Sequence, residues 1–168
     1  MNVPLTWRSG PAHSAPNAGL HEAFACIAAL HPSRIAIRSS GTSLTYAELD
    51  ARANACADAL QRRGVEPGTV VAILLPRSID LVVSLLAVLK CGAAYSAPDP
   101  TWPSGRLEEA LATMDASHVI SSACASAHAT FFIEDAPAAD TGFRPVHTDG
   151  VEPAAVLFTS GTSGGPKC

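Results

Sequence analysis

The feature that most constrains the fold is a nearly continuous apolar run, Thr69–Leu75, which is followed closely by an apolar helical pattern. The run is rich in β-branched residues, which favours a strand, and its lack of polar alternation indicates burial on both faces, as in a parallel sheet. Ser78 is a suitable N-cap for a helix that runs to Lys90, and Gly92 suits its C-terminal end. Because this helix is apolar nearly all round, we expect it to lie between two layers.

Helical and strand patterns alternate along the rest of the chain. The clearest helix begins after Thr45, which forms a capping box with Glu48, and ends at Gly64. Ser104 is the predicted N-cap of a later helix. The remaining predicted elements are a helix over Leu20–Leu30 with Phe24, Ile27 and Leu30 on one face, and strands over Arg34–Arg38 (with a turn at Gly41), His118–Ser121 and Phe131–Ile133. This alternation predicts an α/β fold with a parallel sheet and helices on both faces.

Charge and hydropathy exclude several classes of function. The formal net charge of −4 gives no electrostatic basis for binding nucleic acid or an acidic membrane surface. The longest apolar stretch, Leu81–Leu89, is too short to span a bilayer, and residues 1–19 lack the apolar segment of a signal peptide. We therefore expect a cytoplasmic protein with no nucleic-acid or membrane partner, and a disordered leader over residues 1–19.

The cysteines give no sign of a metal site. No Cys-x-x-Cys pair and no Cys/His cluster has the spacing that zinc requires, so no metal ligand is predicted. Cys26, Cys56 and Cys91 lie in helical patterns among alanines. The expected role of these thiols is that of small buried apolar groups in a reducing compartment.

The last ten residues, Thr159–Cys168, are typical of a phosphate-binding loop. They follow Ala154–Phe158, which is predicted to be a buried strand. Glycines allow successive backbone N–H groups to face an anion, hydroxyls add donors, and Lys167 adds a positive charge. The common P-loop is disfavoured, because Pro166 replaces the glycine before the lysine and Cys168 replaces the magnesium-binding hydroxyl after it.

This loop and two earlier segments together resemble the motifs of adenylate-forming enzymes, the AMP-dependent synthetases and ligases. Phe158–Lys167 is similar to the family's phosphate-binding loop, with Ser163 in place of the usual threonine and Cys168 in place of the final glycine. Leu44–Asn54 resembles the first core motif, and Lys90–Leu107 resembles the second. The Ala-Tyr and Asp-Pro elements of the second motif look most like adenylation domains of nonribosomal peptide synthetases.

The resemblance implies that residues 20–168 are a partial adenylation domain, the N-terminal part of the family's large domain, truncated after the phosphate-binding loop. It implies ATP and Mg²⁺ as cofactors, an amino acid or another small carboxylate as substrate, and an acyl-adenylate and pyrophosphate as products. Lys167 is expected to stabilise the departing pyrophosphate. The residues expected to bind the nucleotide phosphates are Thr159, Ser160, Gly161, Thr162, Ser163, Gly164 and Lys167.

The family places its acid pocket, adenine platform, magnesium-binding glutamate and catalytic lysine after this loop. We therefore expect no catalysis by these 168 residues alone and no magnesium ligand among them. Two further hypotheses are a non-catalytic module that binds a nucleotide or docks on a ligase, and one half of a split ligase completed by a C-terminal fragment. A carrier protein is a further partner that the family implies.

Several motif residues also have purely structural explanations. Thr45 and Glu48 are what any capped helix requires. Lys90 lies in the last turn of a predicted helix, where interaction with the helix dipole is a simpler explanation than contact with substrate. Tyr95 and Trp102 are expected to act by packing.

Overall fold

The computed structural model describes residues 19–122, 129–136, 142–148 and 152–158, so most of the predicted leader lies outside the described residues. The helices are α1 (Leu20–Leu30), α2 (Tyr46–Gln61), α3 (Ile79–Lys90), α4 (Ser104–Thr113) and a short 3₁₀ helix (Ile133–Asp135). The strands are β1 (Ile35–Ser39), β2 (Thr42–Thr45), β3 (Val70–Leu74), β4 (Ala94–Ser96), β5 (His118–Ser121) and β6 (Phe131–Phe132).

A four-stranded parallel sheet with strand order β4-β3-β5-β6 forms the centre of the fold. Side chains alternate along β3: Val71 and Ile73 pack with α2 and α3, whereas Ala72 and Leu74 pack with α4 on the opposite face. All four side chains are buried, as the apolar run predicts. The predicted α/β fold, with helices on both faces of a parallel sheet, is therefore confirmed.

A separate antiparallel hairpin, β1–β2, precedes α2. Its two-residue turn has positive φ at both Ser40 (48°) and Gly41 (83°), which is the geometry of a type I′ turn. The sequence predicted the first strand and the turn at Gly41. It did not predict β2, because the short segment Thr42–Thr45 is polar and also carries the helix cap.

Local capping signals define the starts of two helices. The Glu48 N–H donates to Thr45 Oγ1 at 3.2 Å, and the Thr45 N–H donates to Glu48 Oε2 at 2.8 Å, which confirms the capping box. The Leu81 N–H donates to Ser78 Oγ at 3.2 Å and confirms that cap. The prediction for Ser104 was wrong, since the cap is Pro103, whose carbonyl already accepts the Leu107 N–H at 3.1 Å.

Helices α2 and α3 are joined by a buried polar cluster. Lys90 Nζ donates to Asp50 Oδ1 at 2.9 Å and to Asn54 Oδ1 at 2.7 Å, and the lysine side chain is only 1% exposed. Lys90 does lie in the last turn of α3. Its ammonium group is nevertheless neutralised by α2, so the interhelical ion pair, rather than the dipole alone, explains why a lysine is present.

Helix α1 forms over the predicted residues, and of the three apolar residues on its predicted face only Phe24 packs against the core. Ile27 is 41% exposed and Leu30 is 70% exposed, while His21 and Ala28 are the buried residues of this helix. His21 is held by a hydrogen bond between its Nε2 and the Val146 carbonyl at 3.0 Å. Because that carbonyl lies 125 residues away, periodicity within α1 gave no indication of the contact.

The last predicted strand of this region is shorter than expected. β6 covers only Phe131–Phe132, and Ile133 begins the 3₁₀ helix instead of extending the strand. β6 pairs in parallel with β5 and closes one edge of the sheet.

Candidate functional site at the carboxyl edge of the sheet

The segment that leads to the predicted phosphate loop extends the parallel sheet on its β4 side. The Tyr95 N–H donates to the Ala154 carbonyl at 3.1 Å, and the Val156 N–H donates to the Tyr95 carbonyl at 2.8 Å. These bonds form a single parallel bridge between Tyr95 and Ala155. Ala154–Phe158, predicted to be a buried strand, therefore pairs with β4 through one bridge only. The segment is not fully buried, because Leu157 is 72% exposed.

The carboxyl edge, defined here by the residues that follow β3, β4 and the 154–156 segment, carries a cleft of about 390 Å³. The cleft lies between Pro76 and Arg77, which follow β3, and the turn over 97–101, which follows β4. Arg77 is exposed and brings a positive charge to this cleft. Crevices at the carboxyl ends of strands are where open α/β sheets bind ligands, and this one is lined by one cationic side chain, Arg77, and one carboxylate, Asp99.

The turn after β4 is fixed by Asp99. Its Oδ1 accepts hydrogen bonds from Thr101 Oγ1 at 2.7 Å and from the Thr101 N–H at 2.9 Å, and its carbonyl accepts the Trp102 N–H at 3.1 Å. The hydroxyl and then the backbone donor of Thr101 lower the pKa of the Asp99 carboxyl. Asp99 is therefore used to shape the turn, which explains the Asp-Pro element of the second motif.

Three side chains meet at the end of the 154–158 segment. The rings of Trp102 and Phe158 are in a T-shaped arrangement, with centroids 6.4 Å apart and an interplanar angle of 72°. The Arg106 guanidinium lies over the Trp102 ring, 3.9 Å from its centroid. Trp102 and Phe158 both pack on the cluster that α4 forms with β3. The predicted packing role of Trp102 is confirmed, and the ring of Tyr95 packs on the opposite cluster.

The predicted phosphate-binding residues themselves lie outside the described residues. They are Thr159, Ser160, Gly161, Thr162, Ser163, Gly164 and Lys167. Phe158, the last described residue, precedes Thr159 directly in the chain and lies at the carboxyl edge. The structure thus locates the entrance of the predicted loop, while the roles of the loop residues remain predictions.

The remaining chemically active groups are not part of this edge. Burial raises the pKa of the Cys56 and Cys91 thiols to about 12, so both are inert apolar groups, as expected. Cys26 is exposed, contrary to the expectation of burial. His147 is exposed and pairs with Glu22, which agrees with a surface position. Within the described ranges, no three His, Cys, Asp or Glu side chains are grouped to hold a metal ion.

Sequence reasoning missed two features of this edge. Arg77 belongs to none of the sequence motifs, and it lies at the cleft because it follows the end of β3 in the sheet. The stacking of Arg106 on Trp102 had a weak local signal, since the two residues are four apart at the start of a helix. The contact between Trp102 and Phe158 spans more than fifty residues and had no local signal.

Comparison with known proteins defines the class of protein. Residues 24–168 match the family model described as "AMP-binding enzyme". The dimodular nonribosomal peptide synthase of Bacillus subtilis (strain 168) is 35% identical over 96% of this chain, but the match covers only 8% of that protein. The N-terminal subdomain of Klebsiella oxytoca NpsA superposes with a TM-score of 0.79 at 27% identity, over 91% of this chain and 41% of that one. The artificially fused adenylation-PCP di-domain NpsA-ThdA of the same organism gives a TM-score of 0.75 at 26% identity, over 89% of this chain and 30% of that one.

The chain therefore belongs to the AMP-binding enzyme family, as the three sequence motifs predicted. Within that family, its relatives and structural neighbours are adenylation domains of nonribosomal peptide synthetases. The chain spans only a small part of the length of the curated relatives that it matches. Among the described residues, the helices are all too short or too polar to cross a membrane.

Proposed function

We propose that this chain supplies the phosphate-binding part of an amino-acid-activating adenylation domain. The main support is the position of Phe158 at the carboxyl edge of a parallel sheet, in a chain that belongs to the AMP-binding family. In the proposed reaction, a carboxylate oxygen attacks the α-phosphorus of ATP. The bond from that phosphorus to the bridging oxygen breaks, and the electron pair leaves with pyrophosphate.

The loop is proposed to hold the β- and γ-phosphates while this charge develops. Ser160, Thr162 and Ser163 offer hydroxyl donors, and the glycines allow backbone N–H groups to approach. Lys167 is proposed to stabilise the departing pyrophosphate. Preorganised donors of this kind act most strongly where charge develops in the transition state.

Magnesium is the other cofactor that ATP chemistry of this kind requires. Among the described residues that line the cleft, Asp99 has the only carboxylate, and its Oδ1 is already engaged by both donors of Thr101. The described residues at this edge therefore do not fit a magnesium ion. No magnesium ligand is proposed among the described residues that line the cleft.

We further propose that the chain acts together with additional polypeptide and does not catalyse adenylation alone. An apolar cavity of about 370 Å³, the α1–α3 cavity, opens between α1, α2 and α3 and is lined by side chains such as Leu20, Phe24, Tyr46 and Val82. Leu20 is 63% exposed beside it. The open apolar cavity and the exposed Leu20 beside it are the features on which the proposed docking rests, and the proposed occupant is a complementing C-terminal fragment of the adenylation domain. A carrier protein is the proposed acceptor of the activated acid, by analogy with the adenylation-PCP protein NpsA-ThdA.

A second candidate function is a non-catalytic module that binds a nucleotide or docks on a ligase. The same exposed cavity favours it, because docking requires an apolar surface but no complete active site. In either case we propose a cytoplasmic location, where the free thiols of Cys26, Cys56 and Cys91 remain reduced.

Ligand binding tests the proposed role of the loop. Titration calorimetry with Mg-ATP and with pyrophosphate is expected to detect both ligands, and Lys167→Ala is expected to weaken each by about tenfold or more. Arg38→Ala removes an exposed positive charge from β1 and serves as the matched control, with unchanged affinity. Failure of the wild-type chain to bind either ligand at about 1 mM would contradict the proposal.

Pyrophosphate exchange separates the catalytic and non-catalytic hypotheses. The chain alone is expected to show no amino-acid-dependent exchange of pyrophosphate into ATP, and exchange is expected to appear when a C-terminal adenylation fragment is added. Exchange by the chain alone would disprove the proposed dependence on a partner. Nucleotide binding that persists without exchange in the presence of such fragments favours the non-catalytic module.

A further inference from the structure

We propose that Trp102 and Arg106 are positioning residues for the predicted phosphate-binding loop: Trp102 contacts the ring of Phe158, the residue directly before the loop, and Arg106 covers the Trp102 ring. This inference rests on the proposed function of the loop and adds two residues of the second motif to it. Neither residue is proposed to touch the reacting atoms. Their role is exerted through the aromatic side chain that immediately precedes the loop.

The backbone bonds of the segment do not by themselves fix the loop entrance. Among the described residues, the last hydrogen bond between this segment and β4 is donated by the Val156 N–H to the Tyr95 carbonyl. Leu157 follows and is 72% exposed, so its side chain provides little anchorage. Phe158 is partly buried, and its ring is the remaining anchor before the loop begins.

The ring that Phe158 meets is itself held in place. The backbone N–H of Trp102 donates to the Asp99 carbonyl at 3.1 Å, at the end of the turn that Asp99 and Thr101 fix. Its face is covered by the Arg106 guanidinium at 3.9 Å. A cation over the face of an indole is an attractive contact, and a T-shaped aromatic pair has a defined relative orientation. Trp102 therefore presents a fixed surface to the Phe158 ring.

Trp102 and Phe158 pack at the rim of the cluster formed by α4 and β3, and Arg106 covers the Trp102 ring. The neighbouring core members Leu107, Ala110 and Met114 are no more than 7% exposed, whereas Arg106 is exposed and Trp102 is only partly buried. They lie at the rim of the cluster, beside the entrance of the predicted loop. Arg106 is exposed, so its substitution is expected to cost little stability, which makes a positional effect separable from folding.

The fluorescence of Trp102 provides the direct test. The chain contains two tryptophans, Trp7 and Trp102, so Trp7→Phe leaves Trp102 as the single reporter. Saturating pyrophosphate is expected to change the emission of this variant, with the same midpoint as the calorimetric affinity. Binding seen by calorimetry without any change in Trp102 emission would overturn the inference.

Substitutions test the role of the guanidinium. Arg106→Gln is expected to weaken pyrophosphate binding by about threefold to tenfold, with unchanged far-ultraviolet circular dichroism and thermal midpoint. Arg106→Lys retains a cation and is expected to recover most of the affinity, while Arg38→Gln serves as the control for loss of an exposed arginine. Weaker binding that is accompanied by an equal loss of folded protein would indicate a structural role and count against positioning.

A second variant tests the ring contact independently. Phe158→Leu keeps an apolar side chain but removes the aromatic partner of Trp102, and it is expected to weaken pyrophosphate binding to a similar degree. If Lys167→Ala abolishes binding while Arg106→Gln and Phe158→Leu bind like the wild type, the inference fails and the proposed function stands. If the wild-type chain binds neither ATP nor pyrophosphate, the proposed function fails, and the inference fails with it.

Discussion

At the scale of single residues, Lys90 shows how a motif residue can serve the scaffold instead of the substrate. Its ammonium group is enclosed between α2 and α3 and donates to one carboxylate oxygen and one amide oxygen. Asp50, its charged partner, has a side chain that is 26% exposed, so solvent reaches one side of the pair. A pair of this kind fixes the register of two helices more than it adds to net stability.

Removal of one partner should therefore be costly. Lys90→Met leaves the Asp50 carboxylate without its cation, and we expect the free energy of unfolding to fall by about 1–3 kcal/mol. Replacing both charged residues, as Asp50→Leu with Lys90→Met, should recover a large part of that loss. Urea denaturation of the two variants and the wild type measures the difference. A loss below about 0.5 kcal/mol for Lys90→Met would contradict the assigned role.

His21 introduces a pH dependence into the fold. Burial lowers its pKa below the usual value, and this effect outweighs the hydrogen bond to the Val146 carbonyl and the attraction of Glu22, which raise it; the charges of Lys90 and His147 also lower it. The unfolded chain thus binds the proton more tightly than the folded chain. The stability contributed by neutral His21 is complete above about pH 6.5 and is lost progressively as the pH falls below that value.

A matched variant isolates this effect. His21→Gln keeps an N–H donor that can reach the Val146 carbonyl but does not titrate. Between about pH 7.5 and pH 5.5, the free energy of unfolding of the wild type is expected to fall more than that of the variant. His147→Gln, at the exposed ring beside Glu22, controls for the other histidine of this region. Parallel pH profiles for the wild type and His21→Gln would refute the assignment.

At the scale of elements, Gly92 determines how α3 passes into β4. Its φ of +72° lies in the left-handed region, and a Cβ at this position would lie 3.2 Å from both Pro67 Cγ and Val146 Cγ1. The sequence pattern indicated a glycine at this helix end only because helices commonly end in a left-handed residue. The close approach of two other segments is a tertiary constraint that the sequence pattern does not contain.

We expect Gly92→Ala to lower the free energy of unfolding by about 1–2 kcal/mol, since it adds backbone strain and a crowded methyl group. Gly64→Ala is the matched control. Gly64 also has a positive φ, of +89°, but nothing lies within 4 Å of its added Cβ, so only the backbone cost applies. Thermal or urea unfolding measures both variants. Equal losses would show that contact with Pro67 and Val146 contributes nothing.

The elements also show which features a sequence pattern can predict. The caps at Thr45 and Ser78 and the doubly buried strand β3 were predicted correctly, because each depends on residues close together in the chain. The cap at Ser104 was predicted wrongly, and the burial of His21 against the Val146 carbonyl was not predicted, because its partner is distant in the chain. The same distinction applies to the candidate site. The order of the motifs was enough to indicate the family, whereas the contact between Trp102 and Phe158 could be found only from the sheet topology.

At the scale of the whole molecule, the two faces of the sheet are not equally covered. On one face, Val156 and Phe158 pack against the cluster formed by α4 and β3. Alternation along the same segment directs Leu157 toward the other face, where it remains 72% exposed. The α1–α3 cavity lies on this second face, with Tyr95 among its lining residues. The exposed apolar surface is therefore concentrated on one side of the protein.

This asymmetry predicts that the isolated chain associates with itself when no partner covers the α1–α3 cavity. Leu20 lines that cavity and is 63% exposed, so Leu20→Ser is expected to weaken self-association by about tenfold and to reduce the binding of an apolar dye. Leu30→Ser is the matched control, because Leu30 is 70% exposed in the same helix but does not line the cavity. Sedimentation velocity at several protein concentrations measures the association. A wild-type chain that stays monomeric and binds no dye would contradict the prediction, and an equal effect of the two substitutions would show that the cavity is not the site of contact.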